Sequence, residues 1–356
     1  MVIIDRANWG RLEPLAKALR PACDLHLICG GSTVLSRFKA PADDWESHGY
    51  MVHRIFHSVE GSTPGTMAKG IGLGILEFTT AFERIDPELV LIIGDRSEAM
   101  GAAVAAAYSN RCVVHLQGGE LSGSIDESAR HAITKLAHYH VPATQRAKER
   151  ILRMGERPDT ILTVGCPGSD ARVEVVPNGK ILAVYHPVTT RHDEAAAEMT
   201  CILEALAAVH KHTVMLWPNI DAGREGAVAA VREYRSKHGN EWLTMRTNMD
   251  PGEYAQLLAG ASCCVGNSSS FVRDASWYGT PVVLVGNRQE GRECADNVML
   301  TPVRRVAIQY NTKAQIDHGR YPPSDLYGDG QVCQRLVPKL LDVDPYSQKA
   351  FWQEVA

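Results

Sequence analysis

Eight short apolar runs, at residues 2–4, 25–29, 89–93, 112–116, 181–185, 213–217, 263–265 and 281–285, leave few folds open to this chain. They are hydrophobic throughout, whereas a strand with one face in water alternates with polar residues; strands covered on both faces do not. Helical patterns separate the runs, as at 97–108, 193–209 and 224–237, and in the turns leading to 81–84. Such strand–helix alternation builds parallel sheets through right-handed crossovers, so the expected class is α/β. The 356 residues are enough for two domains of ordinary size. Breakers at Pro167-Gly168 and Pro177-Asn178-Gly179 place the boundary within 171–180. The expected division is a Rossmann-like N-terminal domain at 1–172 and a second Rossmann-like, nucleotide-binding domain at 177–342. Residues 343–356, with Tyr346, Phe351 and Trp352, are expected as a helix that packs back on the first domain.

Composition removes several function classes. With 37 basic and 41 acidic residues the net charge is −4, no electrostatic footprint for nucleic acid. No apolar run approaches the roughly 18 residues of a membrane helix, and the N-terminus lacks the three regions of a signal peptide. The expectation is a cytoplasmic protein with neither nucleic-acid nor membrane partners. The nine cysteines are scattered and include no Cys-x-x-Cys, so buried free thiols are expected rather than a zinc ribbon or redox pair.

Two doubly wound domains enclose a cleft, and their ligands bind beyond the carboxyl ends of the strands. Chemistry is therefore sought just after the apolar runs. A Gly-x-x-x-x-Gly-Lys-Ser/Thr loop and a His-Glu-x-x-His pair are both absent. The string Gly70-Ile71-Gly72-Leu73-Gly74 follows no strand and reads as close helix packing; nicotinamide chemistry has no support. Gly94-Asp95-Arg96 follows one run, and Gln117-Gly118-Gly119-Glu120 follows the next and leads to Asp126. Asp95, Glu120 and Asp126 in one cleft would raise one another's proton affinity, as acid/base work requires. Asp95 and Asp126 fit helix caps equally well. In the second half, Gly266-Asn267 leads into Ser268, Ser269 and Ser270 at a helix start, an anion site, because capping needs only one of the three. Arg288 and Arg292, after the next run, suit phosphate. His186 directly follows the run at 181–185, as a structural or a cleft-facing histidine. The picture is bipartite: carboxylates on the first domain, hydroxyls and guanidiniums on the second, fitting a phosphorylated or nucleotide-linked substrate. The polar stretch at 57–66 is expected as a loop that closes over the cleft.

These same segments resemble the hydrolysing UDP-N-acetylglucosamine 2-epimerases, which include bacterial sialic-acid-pathway enzymes. The shared stretches are Gly94-Asp95-Arg96, Gly123-Ser124-Ile125-Asp126-Glu127-Ser128-Ala129-Arg130-His131, Val164-Gly165-Cys166-Pro167-Gly168 and His186-Pro187-Val188-Thr189-Thr190. They continue in Gly266-Asn267-Ser268-Ser269-Ser270, Gly279-Thr280-Pro281-Val282 and Arg288-Gln289-Glu290-Gly291-Arg292, in order along nearly the whole chain. The resemblance implies two Rossmann-like domains in the GT-B arrangement with the active site between them. It implies anti elimination of UDP to a glycal, then addition of water, with no metal or other cofactor. Asp95 and Asp126 are implied as acid/base residues, and His186 as a neighbour of carbon 2 or the phosphates. Ser268 and Ser269, with Ser270 beside them, are implied at the pyrophosphate, Arg6 at sugar and phosphates, Arg288 at a further anion contact and Asp274 at the ribose hydroxyls. Arg96, Arg130 and Arg292 complete the substrate-binding candidates. A homodimer or homotetramer is implied by the same likeness.

Three positions depart from the family pattern. Gln117 stands where several members carry a carboxylate, and an amide cannot take up a proton. Removal of a carbon-2 proton would then fall to Glu120, Asp126 or His186. Asn8 replaces an acidic residue and Asp274 a longer Glu. The expected activity is conversion of UDP-N-acetylglucosamine, or a related UDP-2-acetamido sugar, to UDP and an N-acetylmannosamine-type sugar. The alternatives are a non-hydrolysing epimerase, a GT-B glycosyltransferase and a nucleotide-sugar-binding protein without turnover. A kinase half like that of the animal bifunctional enzyme is not expected in these 356 residues.

Overall fold

The computed structural model describes residues 1–352 apart from Glu60, Ser62, Asn248 and Ser347. The first half runs β1 (Val2–Ile3), α1 (Arg6–Leu19), β2 (His26–Cys29), α2 (Pro41–Ser47), β3 (Met51–Arg54), α3 (Pro64–Ile85), β4 (Leu89–Ile93), α4 (Ser97–Tyr108), β5 (Cys112–Leu116), α5 (Asp126–Leu136), β6 (Tyr139–Val141) and α6 (Gln145–Arg153). The second continues with β7 (Ile181–Val184), α7 (Ala195–Ala207), β8 (Thr213–Leu216), α8 (Arg224–His238), β9 (Leu243–Arg246), α9 (Pro251–Gly260), β10 (Cys263–Gly266), α10 (Ser269–Val272), β11 (Val282–Val285), β12 (Val298–Thr301), α11 (Arg305–His318) and α12 (Val332–Leu341).

These strands pair in parallel throughout. In the first half β3-β2-β1 and β4-β5-β6 form two three-stranded sheets, with β1 lying beside β4; in the second, β9-β8-β7-β10-β11-β12 is one six-stranded sheet. Each half thus has a topological switch point, between β1 and β4 and between β7 and β10, where a crevice opens at the strand ends. Two Rossmann-like units facing each other across these crevices make the GT-B arrangement.

Alternate residues of a strand point to opposite faces. In β4, Leu91 and Ile93 enter a core with Leu12, Leu15 and Trp45, while Val90 and Ile92 enter another with Phe78, Phe82 and Ala102. In the second half, Ala183 and Val265 face one core, and Leu182 and Cys264 face the other. Burial on both faces is why the eight runs are apolar throughout. The strands β3, β6, β9 and β12 lie outside those runs, and each is the outermost strand of its sheet. An outer strand keeps a face or an edge in water and tolerates polar side chains, here His53, Arg54, Thr244 and Arg246.

Two expectations about chain path are corrected. None of the described residues of the stretch at 57–66 lines the central cavity. His57 is buried against Phe78 and packs near Gly30 and Gly74, and Thr63 and Thr66 form a capping box that starts α3 at Pro64. Glu60 and Ser62 of that stretch lie outside the described residues. The return to the first half is carried by α12, not by a terminal helix: Val332, Cys333, Leu336 and Leu340 join the core of α1 and β4. The described residues of 343–352 follow as irregular chain, with Asp344-Pro345 near its start, where proline disfavours continuing a helix. It too lies on the first half, with Lys349 bonded to Glu156 and the Trp352 N–H donating to the Gly155 carbonyl at 3.0 Å. Residues 353–356 lie outside the described residues. The glycine string does lie in α3, where Gly70 and Gly74 are buried and α4 approaches so closely that a Cβ on Gly101 would stand 3.2 Å from the Ile71 carbonyl. All nine cysteines are free, and among the described residues no helix is long and apolar enough to cross a membrane.

Candidate active site between the two halves

The ends of β1 and β4 face those of β7 and β10 across one cavity of about 1080 Å³. Asp95, Arg96 and Asp126 line it from the first half; His186, Ser268, Ser269, Ser270, Asp274 and Arg288 line it from the second, and Arg6 from α1.

The carboxylates are not equivalent. Gly94, at φ +79°, turns the chain out of β4 and delivers Asp95, which pairs with the buried Arg130 and stands 3.9 Å from Arg292. Burial would raise the Asp95 proton affinity, but Arg130 and Arg292 overcome it and hold the carboxyl below the usual range. Glu120 is buried 3.0 Å from Arg292 and 3.3 Å from Arg273, and these guanidiniums likewise outweigh its burial and lower its pKa. Asp126 goes the other way: burial and the nearby Asp95 push it up, against Arg288 at 3.6 Å. Mutual raising therefore holds only for Asp126, because arginines from both halves neutralise the other two. The helix-cap alternative also resolves. The residues at the cap positions of α4 and α5 are Arg96 and Ile125, and neither Asp95 nor Asp126 caps its helix. Asp126 accepts instead from Ser124 Oγ at 2.9 Å.

On the second half, Gly266 at φ +141° would put a Cβ 2.0 Å from the Val184 carbonyl, so glycine is required where β10 ends against β7. Asn267 then bridges the switch point, its Oδ1 accepting from the His186 N–H and its Nδ2 donating to the His186 carbonyl, both at 2.7 Å. One serine caps, as expected: Ser268 Oγ accepts from the Ser270 N–H at 3.3 Å. Ser269 Oγ accepts from Arg11 at 2.8 Å, and Ser270 Oγ bonds Tyr254 at 2.5 Å. His186 is buried, and burial followed by Arg288 lowers its pKa to about 3, so the ring is neutral. Its Nδ1 accepts from the Asn219 N–H at 3.4 Å, which places the proton on Nε2. Burial raises the Asp274 pKa, and its Oδ1 has no hydrogen-bond partner among the described residues. Arg6 donates to the Thr247 carbonyl at 2.5 Å, and Arg288 to the Asn267 carbonyl at 3.3 Å.

Four sequence candidates sit behind the cavity rather than on it. Gln117, at φ +62°, is buried; its Oε1 accepts from Arg273 and its Nε2 donates to Cys166 Sγ at 2.9 Å. Glu120, Arg130 and Arg292 complete this buried seam between the halves. Arg96 reaches the cavity but is held by Asp221 at 2.9 Å, Glu98 at 3.1 Å and Asp5 at 3.5 Å. Arg11, Arg273 and Asp221 escaped the sequence reading. Arg11 carried a signal, standing little more than one turn beyond Arg6 on α1; the others pair only through the fold.

A family model described as UDP-N-acetylglucosamine 2-epimerase matches residues 17–341. This chain belongs to that family. A Legionella pneumophila protein named UDP-N,N'-diacetylbacillosamine 2-epimerase (hydrolyzing) is 33% identical over 96% of this chain and 95% of its own. A Campylobacter jejuni protein named GDP/UDP-N,N'-diacetylbacillosamine 2-epimerase (hydrolyzing) is 26% identical over 84% of this chain and 83% of its own. The solved Methanocaldococcus jannaschii UDP-GlcNAc 2-epimerase in complex with UDP-GlcNAc and UDP has a TM-score of 0.77 at 15% identity, covering 96% of this chain and 98% of that one, which shows the same fold.

In this epimerase-family chain the halves meet closely at Gly123, whose N–H donates to the Arg288 carbonyl at 3.1 Å. A Cβ there would stand 2.0 Å from the Asn287 carbonyl. Gly123→Ala is expected to force the halves apart and move Asp126 away from Arg288, costing about a hundredfold in turnover, the scale of an ångström misplacement. Steady-state kinetics with a thermal melt checks it; wild-type turnover would contradict the closed geometry.

Proposed function

We propose that the chain is a hydrolysing nucleotide-sugar 2-epimerase acting on UDP-N-acetylglucosamine or a related UDP-2-acetamido sugar. The relatives' names bring UDP-N,N'-diacetylbacillosamine into that substrate class. The observation that carries the reading is the single cavity joining Asp95 and Asp126 to the serine turn and Arg288. Ser268, Ser269 and Arg288 hold the diphosphate, and the neutral His186 donates from Nε2 to an oxygen that gains charge as the glycosidic C–O bond breaks. Asp126, with its raised proton affinity, removes the carbon-2 proton, work that Gln117 cannot do, and the new hydrogen arrives on the opposite face of the glycal, which inverts that centre. The ionised Asp95 stabilises positive charge at carbon 1 as UDP leaves with the bonding electrons. Water then adds oxygen to carbon 1 and hydrogen to carbon 2 of the glycal, giving a free 2-epimeric sugar. Incubation with each UDP-sugar in deuterated water, followed by NMR, tests this. The expected products are UDP and a free sugar carrying deuterium at carbon 2. A UDP-linked epimer as the end product would assign the non-hydrolysing reaction instead, and absence of UDP release would defeat the proposal.

A further inference from the structure

Arg11 lines the central cavity beside Ser269 and is 9% exposed. The turn at 167–171 packs on α1 there, so closely that a Cβ on Gly168 would stand 3.2 Å from the Arg11 Cα, which limits where the side chain can reach. Its bonds go to neutral groups: Nη2 donates to Ser269 Oγ at 2.8 Å, and Nη1 to Gln117 Oε1 at 3.5 Å. Among the described residues no carboxylate lies within 4.0 Å of this guanidinium. Arg96 and Arg288, on the same cavity, face Asp221 at 2.9 Å and Asp126 at 3.6 Å. A largely buried charge without a counter-charge is costly, so Arg11 is suited to an anion that the cavity admits.

Gln117 is the reason that the charge stays uncompensated. Its Nε2 donates to Cys166 Sγ at 2.9 Å, which turns Oε1 toward Arg11 and Arg273. A carboxylate at this position would give Arg11 a counter-charge; the amide offers a lone pair and no charge. We propose that Arg11 binds the diphosphate of the nucleotide, and that the neutral Gln117 keeps it available to do so. This rests on the nucleotide-sugar reading above and adds to it a binding residue and a task for Gln117. Ser269 Oγ accepts from Arg11 and keeps its own proton to donate to a phosphate oxygen, so guanidinium and hydroxyl address one group. The ligand then supplies the negative charge that the protein withholds. Exchange of a carboxylate for Gln117 gives up a proton acceptor and gains a cation for the diphosphate.

Equilibrium dialysis of the whole protein with radiolabelled UDP, with uridine as competitor, tests this. Arg11→Met leaves no carboxylate stranded, so the fold is expected to hold. It is expected to weaken UDP about tenfold or more, the effect of losing hydrogen bonds to a charged group, while the inhibition constant of uridine stays within about twofold. Gln117→Glu is expected to weaken UDP about fivefold, but by less than about twofold in the Arg11→Met background, because the new carboxylate acts by pairing with Arg11. Unchanged UDP affinity in Arg11→Met, or equal loss of UDP and uridine, would overturn the diphosphate contact. Unchanged affinity in Gln117→Glu, or an effect of the same size in both backgrounds, would overturn the role of Gln117. Turnover enters none of these readouts, so a protein that fails to release UDP from any UDP-sugar would defeat the hydrolysing reading and leave this one standing.

Discussion

Replacing Asp126 by Asn is expected to lower turnover by a factor of about 10² to 10⁴, the usual contribution of a positioned proton carrier, while leaving the fold as stable as before or more so. The second part follows from the sign of its shift. The Asp126 pKa is raised in the folded state from 3.8, so this group favours folding below that value and opposes it once pH climbs past its folded value. At neutral pH the buried charge is a cost that the amide removes. Asp95 is the contrast. Its folded pKa lies below 3.8, so its stabilisation is present above that value and fades only as pH falls through the lower one. Asp95→Asn is therefore expected to lose both turnover and stability, because it leaves the buried Arg130 without its carboxylate. UDP-release kinetics and thermal melts of the two variants separate these outcomes; equal melting losses would contradict the charge assignment.

The largest stability effect is expected at Glu120. Glu120→Gln keeps the shape but leaves Arg273 and Arg292 buried with Asp95 as the remaining carboxylate nearby. Breaking a buried ion pair from one side costs about 3–5 kcal/mol, on the order of 10 °C in melting midpoint for a chain of this size. Adding Arg292→Met is expected to restore part of the loss, since it removes one uncompensated guanidinium, and the double-mutant cycle reads the interaction directly. A single-variant shift under 2 °C, or no recovery in the double variant, would show that the seam does not hold the halves together.

How far the residues spoke for themselves follows from where each is buried. The interior strands declared themselves because sheets covered on both faces demand unbroken runs such as Leu89–Ile93 and Cys112–Leu116. The outer strands did not: Met51–Arg54 and Leu243–Arg246 carry polar residues that an edge tolerates and a turn would also carry. Asp95, His186 and the three serines were legible because they follow strands at switch points, and Asp126 because it follows β5, the neighbour of β4, so topology brings them to one crevice. Arg273 and Asp221 were not, since each acts through a partner more than a hundred residues away in the other half, Glu120 and Arg96. That hidden pairing also inverts the expected electrostatics, turning carboxylates expected to repel one another into ion-paired anions at Asp95 and Glu120. The path of α12 was illegible for a similar reason: its amphipathic pattern shows that one face is buried but not against which half.

The division of labour across the cleft, with diphosphate held by the second half and the sugar's protons handled by the first, is tested most directly by calorimetric titration of UDP into three proteins. The Ser268→Ala/Ser269→Ala double variant is expected to bind UDP at least tenfold more weakly than wild type, the effect of losing one or more hydrogen bonds to a charged group. Asp126→Asn is expected to bind UDP within twofold of wild type. UDP affinity that survives loss of both hydroxyls yet collapses with Asp126→Asn would contradict the account.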